Sequence, residues 1–203
     1  SYRRRMVIVA VSVRIIEKEN VMIEQRLQQL SKVYTLVLVP GLRDSDEHHW
    51  QSCWGRRFPF WKRIQQKNWL EPDIENWVSA ITRELAMCPL PAILVGHSFG
   101  ALASCRLLQT RRVNVAGVVM VAPAEPALFG LDEAIQPTPL PVPCIIFASR
   151  NDPLMPFARA HYWATRWRGH LIDIGEAGHI NSESGFGEWL YGLERLTEFC
   201  EQL

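Results

Sequence analysis

Five short runs of apolar residues recur along the chain: Tyr34–Val39, Ala92–Val95, Val115–Ala122, Cys144–Ala148 and His170–Ile174. Within each run the apolar residues are continuous rather than alternating. A strand of that kind has both faces covered, as in a parallel sheet sandwiched between helices. A weaker strand falls near Arg63–Gln66. Helical stripes lie between the runs. Ile74, Trp77, Val78, Ile81 and Leu85 follow helix spacing, with Pro72 suited to the first turn. Phe186, Trp189, Leu190, Leu193, Leu196 and Cys200 form a second stripe. Residues 99–109 and 158–168 also read as helices. Strands alternating with helices predict an α/β fold with a mainly parallel central sheet and helices on both faces. At 203 residues the chain suits one domain with a sizeable core.

Gly96-His97-Ser98-Phe99-Gly100 sits between the second run and a helix. The pattern G-x-S-x-G is weak alone. At a sharp strand-to-helix turn it has a physical reason: the small residues let the chain turn, and the serine hydroxyl is lifted to the carboxyl end of the sheet. A serine hydroxyl needs a base, and the base needs an orienting acid. In this arrangement the partners follow in the order serine, acid, histidine, each after a later strand. The chain supplies Asp152 after Cys144–Ala148 and His179 after His170–Ile174. Other candidates are weaker. Asp173 lies within a strand and Glu176 reads as a surface charge. His97 adjoins Ser98, but neighbouring side chains in a sharp turn diverge. His161 and His170 fall on a helix and a strand start. An oxyanion hole would use the N–H of Phe99 and one from the loop after the first strand, where Pro40-Gly41-Leu42 makes Leu42 the candidate.

These residues and their surroundings resemble the retinoblastoma-binding protein 9 and YdeN-type serine hydrolases, a branch of the α/β-hydrolase superfamily. The resemblance runs from about Val33 to the C-terminus. It is carried by Pro40-Gly41, Ser45, His49-Trp50-Gln51, Trp54, Gln66, Trp69, Pro72 and Trp77. Gly96 to Gly100, Val121-Ala122-Pro123, Asn151-Asp152-Pro153, Gly178-His179-Ile180-Asn181, Gly185, Gly187 and Trp189 extend it. The resemblance implies an α/β-hydrolase fold. It also implies Ser98 as nucleophile, His179 as general base and then acid, Asp152 as its partner, and esterase-type activity. It suggests that Ser45, His49 and Trp50 shape the entrance to the serine. Only about twenty residues separate Val121-Ala122-Pro123 from the Cys144 strand, so no large cap domain is expected. The family's animal member binds retinoblastoma protein, linked to an L-x-C-x-E motif. This chain has no such motif, so that partner is not carried over.

Other classes are disfavoured. A net charge of +1 recruits neither nucleic acid nor an acidic membrane. The loop around Asp44, Asp46, Glu47, His48 and His49 lacks the ligand spacing of a metal site, so neither metal nor organic cofactor is expected. Five widely spaced cysteines, with no C-x-x-C, suggest reduced thiols and the cytoplasm. Trp50, Trp54, Trp61 and Trp69 read either as core or as an acyl pocket, with core the simpler reading. The stretch from Pro137 to Pro143 reads as a stiff loop. Residues 1–21 form an N-terminal extension of unclear role before a domain at 22–203. Arg3-Arg4-Arg5 before Met6–Val11 mimics a signal peptide, but Arg14 interrupts the run and no cleavage site follows. An expression remnant, an upstream extension or an extra strand fits better, with Met22 a plausible natural start.

The expectation is a small cytoplasmic serine hydrolase acting on small acyl substrates, with no protein partner assigned. A protein-binding module with an idle triad, and haloperoxidase or lyase chemistry on the same fold, are the alternatives.

Overall fold

The computed structural model describes residues 2–203. Six strands form one sheet: β1 (Thr35–Val39), β2 (Lys62–Arg63), β3 (Ala92–His97), β4 (Val115–Val121), β5 (Cys144–Ala148) and β6 (His170–Asp173). Their order is β2-β1-β3-β4-β5-β6, and every pairing is parallel. β1, β3, β4 and β5 are buried almost throughout, as continuous apolar runs require. β6 departs from that expectation: it is an edge strand, and its ends His170 and Asp173 are exposed.

Six helices cover the sheet: α1 (Tyr2–Leu30), α2 (Trp50–Arg57), α3 (Ile74–Leu85), α4 (Phe99–Thr110), α5 (Phe157–Trp167) and α6 (Leu190–Glu201). α3, α4 and α5 bury Trp77, Leu102 and Trp163 in the core on one face. α1, α2 and α6 bury Leu27, Trp54 and Leu196 in the core on the other. Odd and even residues of each strand feed different cores: Val37 and Val39 face the first, Leu36 and Leu38 the second.

Helix ends follow local chemistry. Asp73 caps α3 by accepting from Glu75 N–H and Asn76 N–H, so Pro72 lies outside the helix rather than in its first turn. The C-terminal stripe is likewise shorter than its spacing suggests. Trp189 precedes α6 with φ 43°, and Phe186 lies in the loop before it.

The N-terminal segment is helical, not a strand, and it runs unbroken across position 21. Ile23 and Leu27 seat its far end in the core, and Arg57 grips Glu24 (2.9 Å) and the Asn20 carbonyl (3.2 Å). Met6, Val7, Ile8 and Val9 remain about 60% exposed. No described helix is long and apolar enough to cross a membrane. Between β4 and β5 the chain makes a single 3-10 turn, Pro126–Phe129, and no cap.

Candidate active site

Ser98 stands between β3 and α4 with φ 56° and ψ −118°, a strained conformation for a residue with a Cβ. The glycines around it answer to space. A Cβ at Gly96 would lie 2.8 Å from Ala101 Cα, inside the first turn of α4. A Cβ at Gly100 would lie 2.2 Å from the Val39 oxygen and 2.5 Å from the Pro40 oxygen. Only glycine lets α4 start hard against the end of β1.

Two loops bring the partners in. Asp152 follows β5 and His179 follows β6, at the carboxyl edge that also carries Ser98. His179 Nε2 lies 2.8 Å from Ser98 Oγ, and its Nδ1 lies 2.9 Å from Asp152 Oδ1. One neutral tautomer satisfies both contacts: Nδ1–H donates to the carboxylate and Nε2 accepts from the hydroxyl. Leu154 N–H also donates to Asp152 Oδ1 at 2.9 Å, and that side chain is 2% exposed. Three hydrogen bonds staple the two loops together, and a fourth braces the first loop internally. Arg150 N–H donates to the Gly175 carbonyl (2.8 Å), and Ala177 N–H to Ser149 Oγ (2.9 Å). Ser149 Oγ donates to Asn151 Oδ1 (2.9 Å), which also takes Gly178 N–H (2.8 Å).

The other acid and base candidates are engaged elsewhere. Asp173 pairs with Arg150 at 2.6 Å and accepts from Gly175 N–H. His161 lies on α5 and His170 at the start of β6, and neither lines the cavity that Ser98 lines. The N–H of Leu42 donates to no backbone or side-chain acceptor among the described residues. Phe99 is the first residue of α4, so its N–H has no intrahelical acceptor. A Cβ at Gly41 would sit 3.3 Å from Phe99 N, so this glycine keeps the approach to that N–H open.

Ser98, His179, Leu42 and His49 line a cavity of about 330 Å³. A larger groove of about 610 Å³ lies between β6 and α6, but burial pushes its one thiol, Cys144, well above the ordinary cysteine value, and chemistry favours the smaller cavity. Two unlike walls bound the smaller cavity. Leu42, Phe129 and Leu154 form an apolar wall backed by the first core. Asp46, His49, Asn181 and Ser182 form a polar wall on the other side, where Ser182 Oγ hydrogen-bonds Asp46.

Of the three residues expected to shape the entrance, only His49 lines this cavity. Ser45 is buried and donates to Gln51 Oε1 at 2.6 Å. Trp50 is fully buried, and its indole N–H donates to the Ile180 carbonyl at 3.0 Å. None of Trp50, Trp54, Trp61 or Trp69 reaches the cavity. The acidic loop builds no metal site: Asp44 pairs with Arg63 (2.5 Å) and Asp46 with Ser182. Among the described residues no cluster of three or more His, Cys, Asp or Glu side chains could hold a metal ion.

Sequence reasoning set aside one residue that belongs to the site. His97 ends β3, and its Nε2–H donates to the carbonyl oxygen of His179 at 2.9 Å. Together with Trp50 it holds two successive carbonyls of the histidine loop. Burial pushes the His97 ring well below the ordinary histidine value, which keeps it neutral. No spacing rule marks such a contact, which spans 82 residues.

His49 is lowered in the same way, to about 4, chiefly by burial. The sign follows from linkage: the unfolded chain binds a proton below about 6.5, and the folded ring resists until about 4. Stability is therefore lost as pH falls through that window, by on the order of 3 kcal/mol for this ring. The melting temperature measured from pH 7 to pH 4.5 should drop steeply, and less steeply in His49→Asn.

A six-stranded parallel sheet with helices on both faces and this carboxyl-edge arrangement defines an α/β-hydrolase. The serine hydrolase family matches residues 36–198, and the chain belongs to that family, in its YdeN-type branch. YdeN of Bacillus subtilis strain 168 is 25% identical over 185 residues, covering 80% of this chain and 94% of that protein. A YdeN-like protein of known structure from Pectobacterium atrosepticum is 58% identical, with a TM-score of 0.88 over 89% of this chain and 97% of its own. The solved B. subtilis YdeN structure shares the fold at a TM-score of 0.68 and 22% identity, covering 82% and 98%.

Proposed function

We propose that this hydrolase cleaves small acyl esters through Ser98, His179 and Asp152 by way of an acyl-enzyme. The observation that carries the reading is the unbroken line of hydrogen bonds from Asp152 through His179 to Ser98, 2.9 and 2.8 Å long. Ser98 Oγ attacks the carbonyl carbon while His179 Nε2 takes its proton. Asp152 holds the imidazole in the required tautomer and stabilises the imidazolium. The N–H groups of Leu42 and Phe99 receive the oxyanion, each worth about 3–4 kcal/mol in the transition state. His179 returns the proton to the departing alkoxide. It then activates water, which releases the acid and restores Ser98. With only a 3-10 turn in place of a cap, the site suits short or exposed acyl groups. The five unpaired cysteines support a reducing compartment, the cytoplasm.

A fluorophosphonate probe tests this directly. It should label the wild type, and labelling should vanish in Ser98→Ala and His179→Ala. A folded wild type left unlabelled overturns the proposal and favours a binding role with an idle triad.

A further inference from the structure

His49 carries one buried hydrogen-bond donor that the fold leaves unused. Its Nδ1 accepts the N–H of Gln51 at 3.1 Å, which caps α2. In the neutral ring the proton therefore sits on Nε2. That atom is buried and has no partner among the described residues, and the residue as a whole is 4% exposed. An unmade hydrogen bond at a buried N–H costs about 1–3 kcal/mol, so a native site that keeps one usually has a use for it. The ring lines the same cavity as Ser98 and His179. Its edge-on contact with His97, 4.6 Å between centroids, and the cap on α2 together fix its orientation.

Position decides what this N–H can meet. The acyl group has the apolar wall of Leu42, Phe129 and Leu154 to lie against. The polar wall is left for the alcohol portion of an ester. On it His49 offers a neutral donor rather than a cation, because burial holds its titration near 4. Among the charged groups that line the cavity, Asp44, Asp46 and Glu183 outnumber Arg43, which disfavours carboxylate or phosphate groups there. Asn181 and Ser182 add neutral polar groups.

We infer that His49 is a specificity residue whose Nε2–H donates to an oxygen on the alcohol portion of the substrate, which is a neutral, hydroxyl-bearing alcohol. This rests on the esterase reading above.

The test compares two esters of one acid, glyceryl monobutyrate and propyl butyrate, in the wild type and in His49→Asn. Asparagine keeps an oxygen where Nδ1 lies, and so keeps the α2 cap, but it removes the Nε2–H. The wild type should prefer the glyceryl ester by about tenfold in kcat/KM, the scale of one hydrogen bond. In His49→Asn the ratio should fall towards one, with the melting temperature at pH 8 held within about 2 °C and Ser98 still labelled by the fluorophosphonate. A wild-type ratio of one, or a preference that survives in His49→Asn, overturns the inference alone. Hydrolysis of neither ester by a protein that the probe labels overturns the esterase reading, and the inference with it.

Discussion

Asp152→Asn should lower kcat by about four orders of magnitude while leaving the protein folded. The carboxylate receives two donors, His179 Nδ1–H and Leu154 N–H, both on Oδ1 at 2.9 Å. Because both donors meet that one atom, an asparagine oxygen there lacks the charge that stabilises the imidazolium, and an asparagine amide nitrogen there faces the histidine as a donor. To meet it, His179 must turn Nδ1 into an acceptor and move its proton to Nε2. The imidazole then presents a donor where Ser98 needs a base. KM should change far less than kcat, because Asp152 does not line the cavity. Single-turnover kinetics on a chromogenic butyrate ester checks this. A loss under tenfold would show that Asp152 does not set the state of His179.

Gly100→Ala should be the most damaging one-methyl change in the chain. The added carbon would overlap the Val39 and Pro40 oxygens, at 2.2 and 2.5 Å. Neither oxygen is on a flexible side chain, so α4 and the end of β1 must separate. Trp77 Nε1–H donates to that same Pro40 oxygen at 2.8 Å, fixing it from the other side. Overpacking of this kind costs about 1–3 kcal/mol, and more where backbone must give way. The shift also moves Leu42 relative to Phe99, whose N–H groups are the proposed receivers of the oxyanion. Urea denaturation should show at least about 3 kcal/mol lost, and the surviving folded fraction should show reduced kcat. A variant as stable and active as the wild type would contradict the close packing described here.

Much of this was legible in the sequence because it obeys local rules. Strands buried on both faces need unbroken apolar runs, and β1, β3, β4 and β5 have them. A strand-to-helix turn this tight needs glycine where backbone crowds it, so Gly96 and Gly100 marked the turn that carries Ser98. The order of Asp152 and His179 followed from a parallel sheet whose loops share one edge.

The features that escaped depend on distant partners. α2 has no clean apolar stripe, because the fully buried Gln51 anchors it by donating to the Val95 carbonyl at 3.1 Å. The valines and isoleucines of residues 7–16 suit a strand by propensity. No strand lies beside them, and they extend a helix whose far end is seated by Ile23 and Leu27. The family resemblance suggested Trp50 and Ser45 as entrance residues, yet α2 turns Trp50 inward and Gln51 holds the Ser45 hydroxyl in the buried loop before it. His97 was set aside as a neighbour whose side chain would diverge from Ser98, yet it lines the same cavity and holds the His179 carbonyl.

The cavity's two walls rest on different foundations. The apolar wall is backed by the core under α3, α4 and α5, while the polar wall grows from loops around α2 and after β6. The sheet lies between them. Side chains behind one wall do not pack against those behind the other, so substitutions on the two sides should combine additively. On the esterase reading proposed above, selectivity for the acid and selectivity for the alcohol can thus drift separately among relatives, with Ser98 as the fixed point between two independently variable halves.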